Sequence, residues 1–140
     1  MNLKNYTSTI PAHKSISKIE ALLVECGASN IIKNYGPEGE LSSISFRANV
    51  QGNWLSFQLP ARVNAVFDIF KKQHPQTYKA KLQDQANRTA WKIIYDWVQI
   101  QMTMIKLEQA EFLEIFLPYV WNGTETFFSR VKGSDFKLLQ

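Results

Sequence analysis

Apolar residues recur every three or four positions through KSISKIEALLVECGAS, where Ile16, Ile19, Leu22, Leu23 and Cys26 share one side of a helix. Ser15 or Ser17 is placed to cap its first turn, Ser17 with Glu20 as a capping box, and Gly27 suits the left-handed residue that ends it. The period then changes to two. NIIKNY reads as a short strand, with GPEG as the turn behind it. In LSSISFRANV, Ile44, Phe46, Ala48 and Val50 lie on one face, and Leu41, Ser43, Ser45, Arg47 and Asn49 on the other. Gln51-Gly52 makes a tight turn into NWLSFQLP, where Leu55, Phe57 and Leu59 alternate with Trp54, Ser56 and Gln58. The pattern predicts a hairpin with an apolar inner face and a polar outer one.

Before the first helix, NYTSTI alternates and is rich in β-formers, so it predicts an opening strand stopped by Pro11. Beyond the hairpin, Pro60 leads into ARVNAVFDIFKKQ, a helix with Val63, Val66, Phe67 and Phe70 as its buried stripe. A long helix begins near Gln83 and runs to a break around Pro118, and ETFFSRVK predicts a short helix in the tail. The order is β-α-β-β-β-α-α with a C-terminal arm. It predicts an α+β single domain over residues 1–140, with a four-stranded, mostly antiparallel sheet packed by helices. The sheet-forming part covers about 4–60, the helical part about 61–120 and the arm about 121–140.

The long helix carries two apolar stripes instead of one. Ala86, Ala90, Ile93, Trp97, Ile100, Met104 and Leu107 form the first. Trp91, Ile94, Val98, Met102 and Ile105 form the second, flanked by Tyr95. A helix apolar over most of its circumference must be covered on most of it. The second stripe either packs internally against the C-terminal arm or meets another subunit. Trp and Met are enriched at interfaces, so the expected homo-oligomer contact is Trp91, Val98, Met102 and Ile105.

Composition adds few constraints. The 140 residues, 45% hydrophobic and 20% charged, suit a globular domain with a real core. Net charge is +4 with pI near 9.2, and the cations are spread along the chain, which permits a phosphate-bearing partner without requiring one. Cys26 is the only cysteine, expected as a small core residue. Neither a signal-peptide pattern nor a run of ~18 apolar residues is found, so the expectation is a cytoplasmic protein without a membrane partner.

Enzyme signatures are missing: there is no phosphate-cradling glycine loop, no HExxH, no zinc-spaced cysteines and no nucleophile elbow. No catalytic residue, metal ligand or cofactor is therefore assigned. His13 and His74 flank proline-marked boundaries as solvated residues, and Glu111 and Glu114 read as a solvated helix face. The candidate ligand-binding residues are basic and aromatic: Arg47, Trp54, Arg62 and Arg88. Arg47 beside an outward Trp54 is the pairing that stacks a base and holds its phosphate, although coverage of Trp54 by the long helix or the arm is the favoured expectation. Arg62 sits in a first helical turn, where the dipole does not favour a cation. Arg88 has no local partner, since Asp96 is matched to Lys92.

Together, NYTSTIPAHKSISKIEALLVECGA, SISFRANVQGNWLSFQLPA, NRTAWKIIYDWVQIQ and FLEIFLPY resemble a family of small bacteriophage- and prophage-encoded proteins without an assigned activity. The resemblance spans Asn5 to about Tyr119 and brings no catalytic residues. It implies a phage origin and host-cell cytoplasm. By analogy with small phage proteins it implies a non-enzymatic binding protein countering host defence, by sequestering a nucleotide signal or masking a host protein. The alternative is a nucleic-acid-binding accessory protein of phage replication.

Overall fold

The computed structural model describes every residue from Met1 to Gln140. Its elements are helix α1 (Ala12–Glu25), strands β1 (Ala28–Tyr35), β2 (Leu41–Val50) and β3 (Asn53–Pro60), then helices α2 (Val63–Gln73), α3 (Lys79–Lys106), α4 (Phe112–Phe116) and α5 (Phe127–Gly133). Single 3-10 turns follow α4 at Leu117–Tyr119 and α5 at Lys137–Leu139. The chain is α+β, and its compact units are interleaved along the sequence. One comprises Met1–Leu23 and Ala61–Ile100; the other comprises Val24–Pro60 and Gln101–Gln140.

The sheet has three antiparallel strands in the order β1-β2-β3, which corrects the expected four. The missing strand is NYTSTI. Asn5 takes a left-handed φ of 62°, and the amides of Tyr6 and Ser8 bond back to the carbonyls of Leu3 and Asn5, so the segment is a turn. Two of its carbonyls, those of Asn5 and Ser8, also accept from α3 side chains. Asn5 O accepts from Thr89 Oγ1 at 2.8 Å, and Ser8 O accepts from Gln85 Nε2 at 3.0 Å and Arg88 Nε at 3.2 Å. Backbone groups bonded sideways to a helix are not available for a ladder. The true order is α-β-β-β-α-α-α-α, not β-α-β-β-β-α-α.

In the first unit the core is helical. Ile16, Ile19 and Leu23 of α1, Val63, Val66 and Phe70 of α2, and Leu82, Ala86, Ala90, Trp91 and Val98 of α3 are buried. The α1 capping expectation is corrected, because the helix starts at Ala12, with Lys14 N bonding to Pro11 O. Ser15 and Ser17 are therefore inside the helix, and the Ser15 hydroxyl is buried without a hydrogen bond. Proline is tolerated at a helix entry, where its missing N–H would be unpaired anyway. Gly27, at φ 93°, ends the helix as its spacing predicts.

In the second unit Val50 and Asn53 are the last paired residues of the β2–β3 hairpin, joined by Gln51 (φ 52°) and Gly52 (φ 87°). Two central residues at positive φ define the type I′ turn whose twist matches a hairpin. The inner face buries Ile44, Phe46, Ala48, Phe57 and Leu59. Phe46 and Phe57 stack at 5.2 Å, and Phe112 and Phe116 of α4 meet both rings edge-on. Glu111 and Glu114, one turn apart, form a reciprocal capping box that starts α4. The residues after α4 run back along β3: Trp121 N donates to Ser56 O at 2.7 Å, and Val120 bridges Phe57.

Candidate functional site

The two stripes of α3 resolve differently from the expectation of a subunit contact. Trp91 and Val98 are fully buried and Met102 nearly so within one chain, and Ile105 is half-buried. Trp91, Val98 and Met102 are core of the single chain and Ile105 keeps part of its surface; the exposed apolar positions are Ile100 and Leu107, at the far end of the first stripe. The buried line runs Leu82, Ala86, Thr89, Ala90, Trp91, Val98, Met102. It starts on one stripe and finishes on the other. A helix whose surroundings change along its length can bury both in part.

The outer face of the sheet holds the candidate ligand residues Arg47 and Trp54. Arg47 pairs across the ladder with Ser56, and Trp54 with Asn49, so the two are diagonal neighbours on one face. That separation is within reach of long and aromatic side chains. The guanidinium carbon of Arg47 lies 5.4 Å from the centre of the Trp54 ring. Trp54 is 52% exposed, contrary to the expectation that the long helix or the arm covers it. The arm is engaged elsewhere: Val120 and Trp121 bond along the edge of β3, which leaves the face at Trp54 open. Arg47 is exposed, and its guanidinium makes no hydrogen bond or ion pair with the protein. A cation–π contact at such a site contributes about 0.5–1 kcal/mol and leaves the N–H donors facing water.

Further along the same face is a neutral polar cluster. Asn34 of β1 donates to the hydroxyls of Ser43 and Ser45, both at 3.0 Å. Ser43 is buried there, although the alternation placed it on an open polar face. Ser45, Ser56 and Gln58 are half-buried around it. The face therefore grades from a fixed polar floor to an exposed aromatic and cation at the hairpin end.

Arg62 and Arg88 belong to the first unit. Arg62 is exposed at the N-cap position of α2, where its carbonyl accepts from Val66 N and its side chain makes no capping hydrogen bond. Arg88 has partners after all, a local one in Gln85 Oε1 at 2.6 Å and a distant one in Ser8 O. It braces the N-terminal segment instead of waiting for a ligand. Its partner Ser8 is 80 residues away in the chain, so local pairing rules had no access to the contact.

On the inner side of the hairpin end is a recess of about 530 Å³, lined by Cys26, Ala48, Val50, Leu55, Glu111 and Phe112 among others. No Lys or Arg lines it. Burial, with help from Glu25, pushes the Cys26 thiol up against the opposing effect of Lys106, and its Sγ lies 2.9 Å from Met102 Sδ. A protonated thiol is a poor nucleophile, so the recess holds no activated group. Sequence reasoning did not foresee it, because its lining joins three separated stretches. No group of three or more His, Cys, Asp or Glu is placed to hold a metal ion.

Neither known protein families, nor characterised proteins, nor solved structures yield a match to this chain.

Proposed function

We propose that this protein is a non-enzymatic binding module that takes single-stranded nucleic acid on the outer face of its sheet. The observation that carries it is the exposed Trp54 beneath an Arg47 that has no other partner. Bases stack on aromatic rings and on guanidinium planes, and the free N–H donors of the same arginine suit a phosphate oxygen. The hairpin end of this face, at Arg47, Asn49 and Trp54, is exposed to a passing strand, and the +4 net charge favours a polyanion. The polar floor of Asn34, Ser43 and Ser45 is neutral, so most of the affinity comes from stacking and from few phosphates.

A free nucleotide presents the same base and phosphate, which keeps the sequestering of a nucleotide signal as the second reading. The recess does not favour it, since an anionic phosphate would find no cation there.

Fluorescence anisotropy of a labelled oligothymidylate, with titration of mononucleotides and cyclic dinucleotides alongside, tests the proposal. The oligonucleotide binds at low salt and weakens as salt rises, by a slope of about 0.7 per phosphate contacted. Trp54→Ala weakens binding by roughly 5- to 150-fold, corresponding to about 1–3 kcal/mol for one stacked base. Retention of full affinity by both Arg47→Ala and Trp54→Ala refutes the site. Tight binding of a free nucleotide with none of the oligonucleotide selects the second reading.

A further inference from the structure

The densest run of exposed apolar side chains lies outside this sheet face, in the last fourteen residues. Phe128, Phe136, Leu138 and Leu139 are each at least half exposed. The α5 helix divides cleanly: Val131 is buried and Phe127 half-buried on one side, while Phe128 and Lys132 project on the other. Lys132 Nζ lies 5.6 Å from the Phe128 ring, as expected for residues four apart on a helix. After α5 the chain reverses through Asp135 (φ 54°) and Phe136 (φ 66°), closed by a bond from Phe136 N to Val131 O. A phenylalanine in the left-handed region is strained, yet this one is half exposed and buries little in return. The turn presents the next segment, Lys137-Leu138-Leu139, outward.

The exposed charges around these side chains are Lys132, Lys137 and Asp135, and the half-buried Arg130 lies over the Phe127 ring, so cations outnumber the one carboxylate. A second copy of the same surface would bring like charges together as it buried the apolar groups, so the surface does not complement itself. Its occupant is anionic and offers an apolar phase. Bases would suit the phenylalanines but would leave Leu138 and Leu139 in water.

We infer that residues 127–140 dock peripherally on an anionic lipid surface, with Phe128, Phe136, Leu138 and Leu139 entering the headgroup–acyl boundary and Lys132 and Lys137 meeting lipid phosphates. Short basic segments that expose Phe and Leu side chains associate with membranes in this way, without spanning them. No helix of this chain is long and apolar enough to cross a membrane, and the docking requires none. It concerns peripheral contact, which the expectation of no membrane partner, drawn from the lack of a spanning segment, did not weigh.

Co-sedimentation with vesicles decides the matter, using phosphatidylcholine alone and phosphatidylcholine mixed with phosphatidylglycerol. The full chain sediments with the mixed vesicles and not with the neutral ones. Neutralising two cations, Lys132→Gln with Lys137→Gln, weakens this binding about 30-fold, at roughly a factor of five per cation. The pair Leu138→Ser and Leu139→Ser abolishes it while oligonucleotide affinity is unchanged. No sedimentation with anionic vesicles, or binding that survives both double variants, overturns the inference. It is also overturned if the lysine variant loses oligonucleotide affinity in place of lipid binding, or if the leucine variant turns an oligomer into a monomer.

Discussion

Asn5 Nδ2 donates to Asp96 Oδ2 at 2.8 Å, joining residues 91 positions apart and tying the N-terminal segment to the middle of α3. The main-chain carbonyl of Asn5 accepts from the fully buried Thr89, two helical turns earlier. One residue thus satisfies two side chains of the helix, and its own left-handed backbone is the geometry that permits it. Lys4 stands 3.7 Å from the same carboxylate, and Arg88 and Gln85 hold the next carbonyl at Ser8.

Removing one strap shows how much the latch contributes. Thr89→Val keeps the volume and loses the hydroxyl, leaving Asn5 O and Gln85 Nε2 each short of a partner. The expected loss is about 1–2 kcal/mol, read as a lower urea midpoint at unchanged slope. A midpoint equal to that of the native chain contradicts the latch.

Asp96 makes the same region pH-sensitive. Burial by itself would raise its carboxyl, but hydrogen bonds from Lys92 and Asn5, with the charges of Lys92 and Lys4, outweigh burial and hold it below the usual carboxylate value. A carboxylate depressed in the folded state stabilises the fold above its unfolded value, near 3.9, and loses that contribution as pH falls through its folded value. Asp96→Asn is therefore less stable than the native chain at neutral pH, by about 1–2 kcal/mol. The difference closes in acid. Denaturation curves of both proteins across that range check it, and a gap that widens on acidification has the wrong sign.

Burial of Trp91 separates the core reading of α3 from the subunit-contact reading. Trp91→Ala costs about 3–5 kcal/mol in unfolding free energy if the side chain is core, without changing the mass in solution. Sedimentation equilibrium and denaturation on one preparation give both answers. A shift of mass with little loss of stability would place Trp91 at an interface.

Much of the fold was legible because it is local. The β2–β3 hairpin follows from strict alternation around Gln51-Gly52, where two positive φ values are needed within two residues. The stripes of α1 and α2 follow from spacing alone. Glu111 and Glu114 are a local feature too, yet as a capping box they are visible only once the helix start is known. At the site, alternation put Arg47 and Trp54 on one face. Exposure is another matter, since it depends on where the arm lies.

What the sequence by itself determined is what local spacing specifies: strands β1, β2 and β3, the turn between β2 and β3, and helices α1 and α2. The same spacing reads a fourth strand at NYTSTI and runs the long helix on to Pro118, whereas α3 ends at Lys106 and α4 is separate. Only the tertiary structure decided that NYTSTI is a latch, that α3 buries one stripe early and the other late, and that Trp54 stays open. Each of those outcomes is a choice between partners far apart in the chain. Periodicity states that a face must be covered or a carbonyl bonded, and it is silent about which distant group does so.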